Sequence, residues 1–213
     1  MNVLNKMALG AVLKPLTFGL CLIPLAYYLG GLIADSLGAN PIEAVTRGLG
    51  DWALRLLCLT LAITPLRRLS GWHDLQRIRR MLGLFAFFYA VLHLLTYLWL
   101  DQFFDWEEIW RDVVKRPFIT VGFATWVLLI PLAITSTDAM VRRLKRRWVQ
   151  LHRLIYLATP LAVLHFFWMK SSKADVAEPL FYAGVVAALL FYRAIGWRRK
   201  PRTSPPRVLQ TRL

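Results

Sequence analysis

Only two cysteines occur in this chain of 213 residues, Cys21 and Cys58, and both fall in apolar stretches. Two isolated thiols make neither a disulfide framework nor a metal-ligand spacing, so they read as small apolar fillers. Acidic residues are scarce as well: 12 Asp and Glu stand against 27 Lys and Arg, for a net charge of +15. Strand-like alternation is missing, which excludes a β fold, and no internal repeat is evident. No clear small-x-small cleavage site ends the apolar stretch that follows Lys6 and Lys14. That stretch therefore reads as a retained signal anchor and first span, not as a cleaved leader.

What is present is apolar: 57% of residues are hydrophobic and nine are Trp. A soluble nucleic-acid binder can carry this charge but has no need of long uncharged runs, and a soluble domain seldom has them. The class expected is all-α, a polytopic membrane helix bundle. A helix needs about 20 largely apolar residues to cross the hydrocarbon. Six stretches qualify, at about 15–34, 48–66, 82–100, 118–136, 149–169 and 177–196, leaving 197–213 as a basic tail. The breaks carry boundary signals at Asn40-Pro41, Ser70-Gly71, Arg116-Pro117 and Glu178-Pro179. The second stretch holds Asp51 and Arg55, which share a helix face and can pair near a membrane surface.

Charge is segregated between the spans. The 67–80 loop carries Arg67, Arg68, Arg77, Arg79 and Arg80, and the 138–148 loop carries Arg142, Arg143, Lys145, Arg146 and Arg147. The alternate 101–116 loop is acidic, with Asp101, Asp105, Glu107, Glu108 and Asp112. The asymmetry puts both termini on the cytoplasmic side and the acidic loops outside. Attraction to anionic lipid accounts for the basic loops, so the bilayer is the expected partner and nucleic acid is not. Trp106 and Trp110 in the acidic loop can anchor at the interface or dock an outside partner.

Three histidines interrupt the spans: His93 in the third, His152 and His165 in the fifth. A polar side chain at that depth needs a partner, and a neutral imidazole finds an excellent one in a metal. His93 and His165 fall at comparable depth in the outer half of two helices running the same way. That arrangement suits bis-imidazole ligation of one haem. Ala86 and Ala90 on the third span and Ala158 and Ala162 on the fifth would leave room for a flat macrocycle. His152 lies about 20 Å from His165 along a helix axis, at about 1.5 Å per residue, so it cannot share the same iron. It marks an inner site. The positions that would supply its partner on the third span are Arg79 and Arg80, and a guanidinium does not ligate iron. The inner site is thus a haem with an unusual second ligand or a different cofactor. Arg77, Arg79 and Arg80 can hold a haem propionate, a flavin phosphate or a quinone headgroup there. His73, in a basic loop, reads as exposed.

The blocks LGLFAFFYAVLHLLTYLWLDQ, KRPFITVGFATWVLLIPLAITS and WVQLHRLIYLATPLAVLHFFW occur in this order. They resemble the ferric-reductase-type transmembrane domain, and more closely the haem-binding membrane subunits of bacterial periplasmic methionine sulfoxide reductase systems. The resemblance covers about residues 45–195. It implies a multi-pass inner-membrane protein carrying b-type haem, associated with FMN and fed from the quinone pool. It further implies a soluble molybdopterin-containing periplasmic partner, on which the sulfoxide chemistry takes place in repair of oxidised proteins. His93, His152 and His165 occupy the family's histidine positions. The broader pattern has two histidines on each of two helices, and this chain has one on the third span. The alternative class is a small transporter whose intramembrane His and Arg relay protons. It would need a chain of polar groups through one bundle, and the third, fifth and sixth spans offer few.

Overall fold

The computed structural model describes residues 3–171 and 175–198, with side chains over 12–171 and 175–195. Lys6, Lys173 and the basic tail from 199 onward lie outside what is described at side-chain level. Nine α-helices run through the described residues, with no strand among them. They are α1 (Val3–Ile33), α2 (Pro41–Ser70), α3 (Leu75–Leu95), α4 (Trp106–Lys115), α5 (Pro117–Ile134), α6 (Asp138–Leu144), α7 (Arg146–Leu151), α8 (Ile155–Ser171) and α9 (Ala177–Arg198). A π turn, Thr96–Asp101, prolongs α3, and a 3₁₀ turn, His152–Leu154, joins α7 to α8.

Six helical stretches are long and apolar enough to cross a bilayer: Val12–Ile33, Pro41–Ser70, Leu75–Asp101, Pro117–Ile134, Arg146–Ser171 and Ala177–Ile195. The prolines set the edges as expected, since a proline fits the first turn of a helix, where its missing N–H is no loss. α2 starts earlier than its apolar run because Asn40 caps it. The Asn40 side-chain oxygen accepts from the Glu43 N–H at 3.1 Å, and Pro41 follows at the first helical position. The acidic loop holds a helix that the sequence reading did not foresee. There Asp105 caps α4, accepting from Glu107 N at 3.0 Å and Glu108 N at 3.1 Å.

α2 packs along α3 and α5 along α8, each pair antiparallel, while α9 closes against α8 and α2, and α1 leans on α3. The core lies at the α2–α3 contact, where Leu57, Leu61, Ala86 and Tyr89 are almost wholly buried. Large apolar side chains such as Leu20, Ile23, Val127, Leu157 and Phe191 point outward, as a lipid-facing surface requires. One end of the bundle gathers the arginines of 67–80 and 138–148. The other gathers the acidic residues of α4 and of 175–178.

Two local features were not foreseen in the sequence. Arg55 does not pair with Asp51; it turns to α9, where its Nε donates to the Tyr182 hydroxyl at 3.0 Å and Nη2 lies 3.8 Å from Glu178. Helix α1 is opened by a side chain: the Tyr89 hydroxyl donates to Cys21 O at 2.6 Å and accepts from Leu25 N at 3.1 Å. It thus replaces one rung of the α1 ladder beside Pro24. Tyr89→Phe should leave both backbone groups to re-pair or remain unpaired, lowering stability by about 1–3 kcal/mol. Thermal unfolding in detergent tests this, and an unchanged midpoint would show that the rung re-forms without cost.

Candidate functional site

His93 on α3 and His165 on α8 meet in the acidic half of the bundle, with ring centroids 6.1 Å apart and ring planes at 74°. Two imidazoles on opposite sides of one iron, each with a metal–nitrogen bond of about 2 Å, put their ring centroids on the order of 6 Å apart. Neither ring is free to turn. His93 Nδ1 lies 2.7 Å from Thr46 O on α2, and His165 Nδ1 lies 2.7 Å from Phe118 O on α5. A carbonyl only accepts, so each Nδ1 carries the proton and each Nε2 is left as a lone-pair donor.

A glycine makes each contact possible. One turn beyond Thr46 is Gly50, where an added Cβ would stand 3.1 Å from the His93 ring. One turn beyond Phe118 is Gly122, where it would stand 2.8 Å from His165 Nδ1. The carbonyl acceptor and its histidine are 47 residues apart in both cases. One constant shift along the chain takes Thr46 to Phe118, Gly50 to Gly122 and His93 to His165. The two helix pairs hold their histidines by the same carbonyl–glycine–histidine arrangement. The sequence matches at the same shift around the histidines: Ala90-Val91-Leu92-His93 recurs as Ala162-Val163-Leu164-His165. Against the expectation of no internal repeat, the two pairs share this one local arrangement.

A cavity of about 470 Å³ surrounds the pair, lined by Gly50 and Asp51 of α2, Ala90 and Tyr97 of the third span, Gly122 of α5 and Ala162 of α8. Two buried polar atoms on its wall, Thr46 Oγ1 and Trp126 Nε1, have no partner within the protein. Arg47 and Arg116 stand on the same wall. Arg47 pairs with Glu43, and Arg116 Nε with Asp112 at 3.2 Å. Opposed imidazoles, a gap flanked by small residues, orphaned polar atoms and two guanidiniums fit a haem with its carboxylates. Among the described residues no three of His, Cys, Asp or Glu gather as a bare-ion centre would need.

His152 is elsewhere, on the 3₁₀ turn at the basic end. Its ring stacks on Trp148 with centroids 3.8 Å apart; Nδ1 lies 3.1 Å from Trp148 O and Nε2 3.4 Å from Ser136 Oγ. Arg80 reaches the same residue, its Nη1 donating to Ser136 O at 3.4 Å and pairing with Asp138 at 2.6 Å. The hydrogen bond and charge of Arg80 hold the Asp138 carboxyl below the usual carboxylate range. The shift that takes His93 to His165 takes Arg80 to His152, so a guanidinium stands at the position that corresponds, by the shift of the outer pair, to a histidine. Arg77 is exposed and pairs with Asp74 at 3.2 Å, away from His152. Arg79 turns inward and hydrogen-bonds Tyr156. His73 is exposed. Sequence reasoning missed Gly50, Gly122 and the buried Arg193 of α9. The recurring Ala-Val-Leu-His tetrapeptide, extended at its own shift, would have found the glycines, and a lone arginine in an apolar span would have flagged the last.

The family described as ferric reductase like transmembrane component matches residues 49–163. The chain is 54% identical over 195 residues to the protein-methionine-sulfoxide reductase heme-binding subunit MsrQ of Herminiimonas arsenicoxydans, covering 91% of this chain and 89% of that protein. It is 54% identical over 187 residues to the subunit of the same name from Rhodospirillum rubrum, covering 87% and 89%. With that of Xanthomonas campestris pv. campestris it shares 57% over 166 residues, covering 78% and 74%.

Proposed function

The chain belongs to the ferric-reductase-like transmembrane family, among the MsrQ haem-binding subunits, and from that premise we propose that it carries electrons from the quinone pool through haem b to a periplasmic methionine sulfoxide reductase. It is a multi-pass protein of the bacterial inner membrane. The observation that carries the proposal is the opposed pair His93 and His165, each held through Nδ1 by a backbone carbonyl, which leaves Nε2 as the lone-pair donor.

Haem b, when bound, supplies a one-electron redox centre at the acidic end of the bundle. The protein's own part is to hold both imidazoles neutral and oriented, with glycine letting each ring reach its carbonyl, and to offer Arg47 and Arg116 as cations that would pair with the carboxylates of a bound haem. Fixed ligands also limit rearrangement between oxidation states, which favours transfer over catalysis at the iron. By the charge asymmetry of the loops, the acidic end faces the periplasm and both termini face the cytoplasm. The partner on that side is a molybdopterin-containing subunit that performs the sulfoxide chemistry. Exposed Trp106 and Trp110 of α4 serve as interfacial anchors beside it. Quinol reaches the chain from the lipid phase. His152 and Arg80, which meet at Ser136, are the residues at the basic end that would receive a quinone headgroup or the phosphate of an associated FMN.

The test is direct. Purified protein from cells with ample haem should give a pyridine-haemochrome spectrum of b type and be reduced by a short-chain quinol. Haem-free protein would sink the proposal as a whole. Haem-loaded protein that stays oxidised in quinol would sink the donor assignment alone.

A further inference from the structure

All 12 acidic residues lie within the described part of the chain, and at the basic end they are Asp74 and Asp138. Both are engaged, Asp74 with Arg77 and Asp138 with Arg80. Two other arginines are drawn into the bundle at this end without a carboxylate. Arg193 of α9 is only 8% exposed. Its Nη2 donates to Leu61 O at 2.7 Å and to the Thr64 hydroxyl at 3.1 Å, and its Nη1 donates to the Tyr156 hydroxyl at 2.7 Å. Leu61 precedes Pro65 by one helical turn, and proline has no N–H to offer, so Arg193 satisfies the carbonyl that proline orphans. That explains the hydrogen bonds but leaves the charge unanswered. Arg193 Nε is buried with no partner. Arg79, half-buried on α3, hydrogen-bonds the same Tyr156 hydroxyl. Two guanidiniums gathered at one phenol in a low-dielectric setting repel each other, and an unpaired buried charge is strongly unfavourable.

We propose that Arg79, Arg193 and Tyr156, with Thr64 beside them, form an oxyanion site between α2, α3, α8 and α9 at the basic end, taking the carboxylate or phosphate group of a membrane-borne amphiphile. The site is separate from the His93–His165 cavity and does not rest on the haem assigned there. Two sources carry the required chemistry. One is the phosphodiester of an anionic phospholipid in the adjoining leaflet. The other is the propionate edge of a second haem at His152, at the same end of the bundle.

Full-length protein in nanodiscs of phosphatidylcholine alone, or with phosphatidylglycerol added, separates these sources. Unfolding temperature and haem per polypeptide are measured for the wild type, Arg79→Gln, Arg193→Gln and the exposed control Arg68→Gln. A lipid source predicts that phosphatidylglycerol raises the unfolding temperature of the wild type and the control, and that this gain disappears in both site variants with haem unchanged. A haem source predicts that haem per polypeptide falls in both site variants whatever the lipid. Site variants that match the wild type in both readouts overturn the proposal. Should Arg193→Gln fail to fold, Arg79→Gln decides alone, because it leaves every α2–α9 hydrogen bond in place.

Discussion

His93→Ala and His165→Ala should each lose most of the haem, with affinity falling by more than about 100-fold, because each removes one of the two imidazoles that would hold it and leaves its opposite number alone in the cavity. Loss from either variant should be similar, since both imidazoles are held the same way, at 2.7 Å from a backbone carbonyl. His73→Ala should keep wild-type haem, its ring being exposed. His152→Ala separates two models of the basic end: partial haem loss means a second haem there, and full retention with lost quinol reduction means a quinone or flavin role. Haem per polypeptide, from the pyridine-haemochrome spectrum and a protein assay, reads all four variants. Equal retention in the His93, His165 and His73 variants would show the ligand assignment wrong.

The second large effect comes from residues that never touch the iron. Gly122→Ala puts a Cβ 2.8 Å from His165 Nδ1, a separation that real Cβ atoms essentially never show, so the ring must leave its carbonyl. Loss of a partner that orients a metal ligand costs on the order of 10- to 100-fold in affinity. Gly50→Ala is milder, because its Cβ would stand 3.1 Å from the His93 ring and a few tenths of an ångström relieve it. The expected order of haem affinity is wild type, then Gly50→Ala, then Gly122→Ala. Haem titration of the variants measures it. A Gly122→Ala protein that binds as the wild type does would mean that His165 is not locked by the α5 backbone.

Much of this was legible in the sequence because hydropathy, proline edges and loop charge are local properties. The six spans, the starts at Pro41 and Pro117 and the two charged ends needed no tertiary information. The matched depth of His93 and His165 followed from counting residues inward from the membrane surface. Phase was harder. Arg77, Arg79 and Arg80 look alike in sequence, yet the register of α3 sends Arg77 to Asp74, Arg80 to Asp138 and Arg79 into the bundle. Arg55 likewise has two acids within reach, and the placement of α9 gives it to Glu178. The shared arrangement of the two helix pairs escaped because a window moved along the chain never compares one helix pair with the other. Only the shared carbonyl–glycine–histidine geometry made the Ala-Val-Leu-His tetrapeptides meaningful.

The proposed sharing of one iron by His93 and His165 is tested most directly by the electron paramagnetic resonance spectrum of the oxidised, purified protein. Two neutral imidazoles with ring planes at 74° would make a bound ferric haem low-spin. Their near-perpendicular planes would give it the strongly anisotropic signal with a large low-field g value. That signal should disappear in both the His93→Ala and the His165→Ala variants. A high-spin ferric signal in the wild type, or a low-spin signal that survives either substitution, would contradict the account.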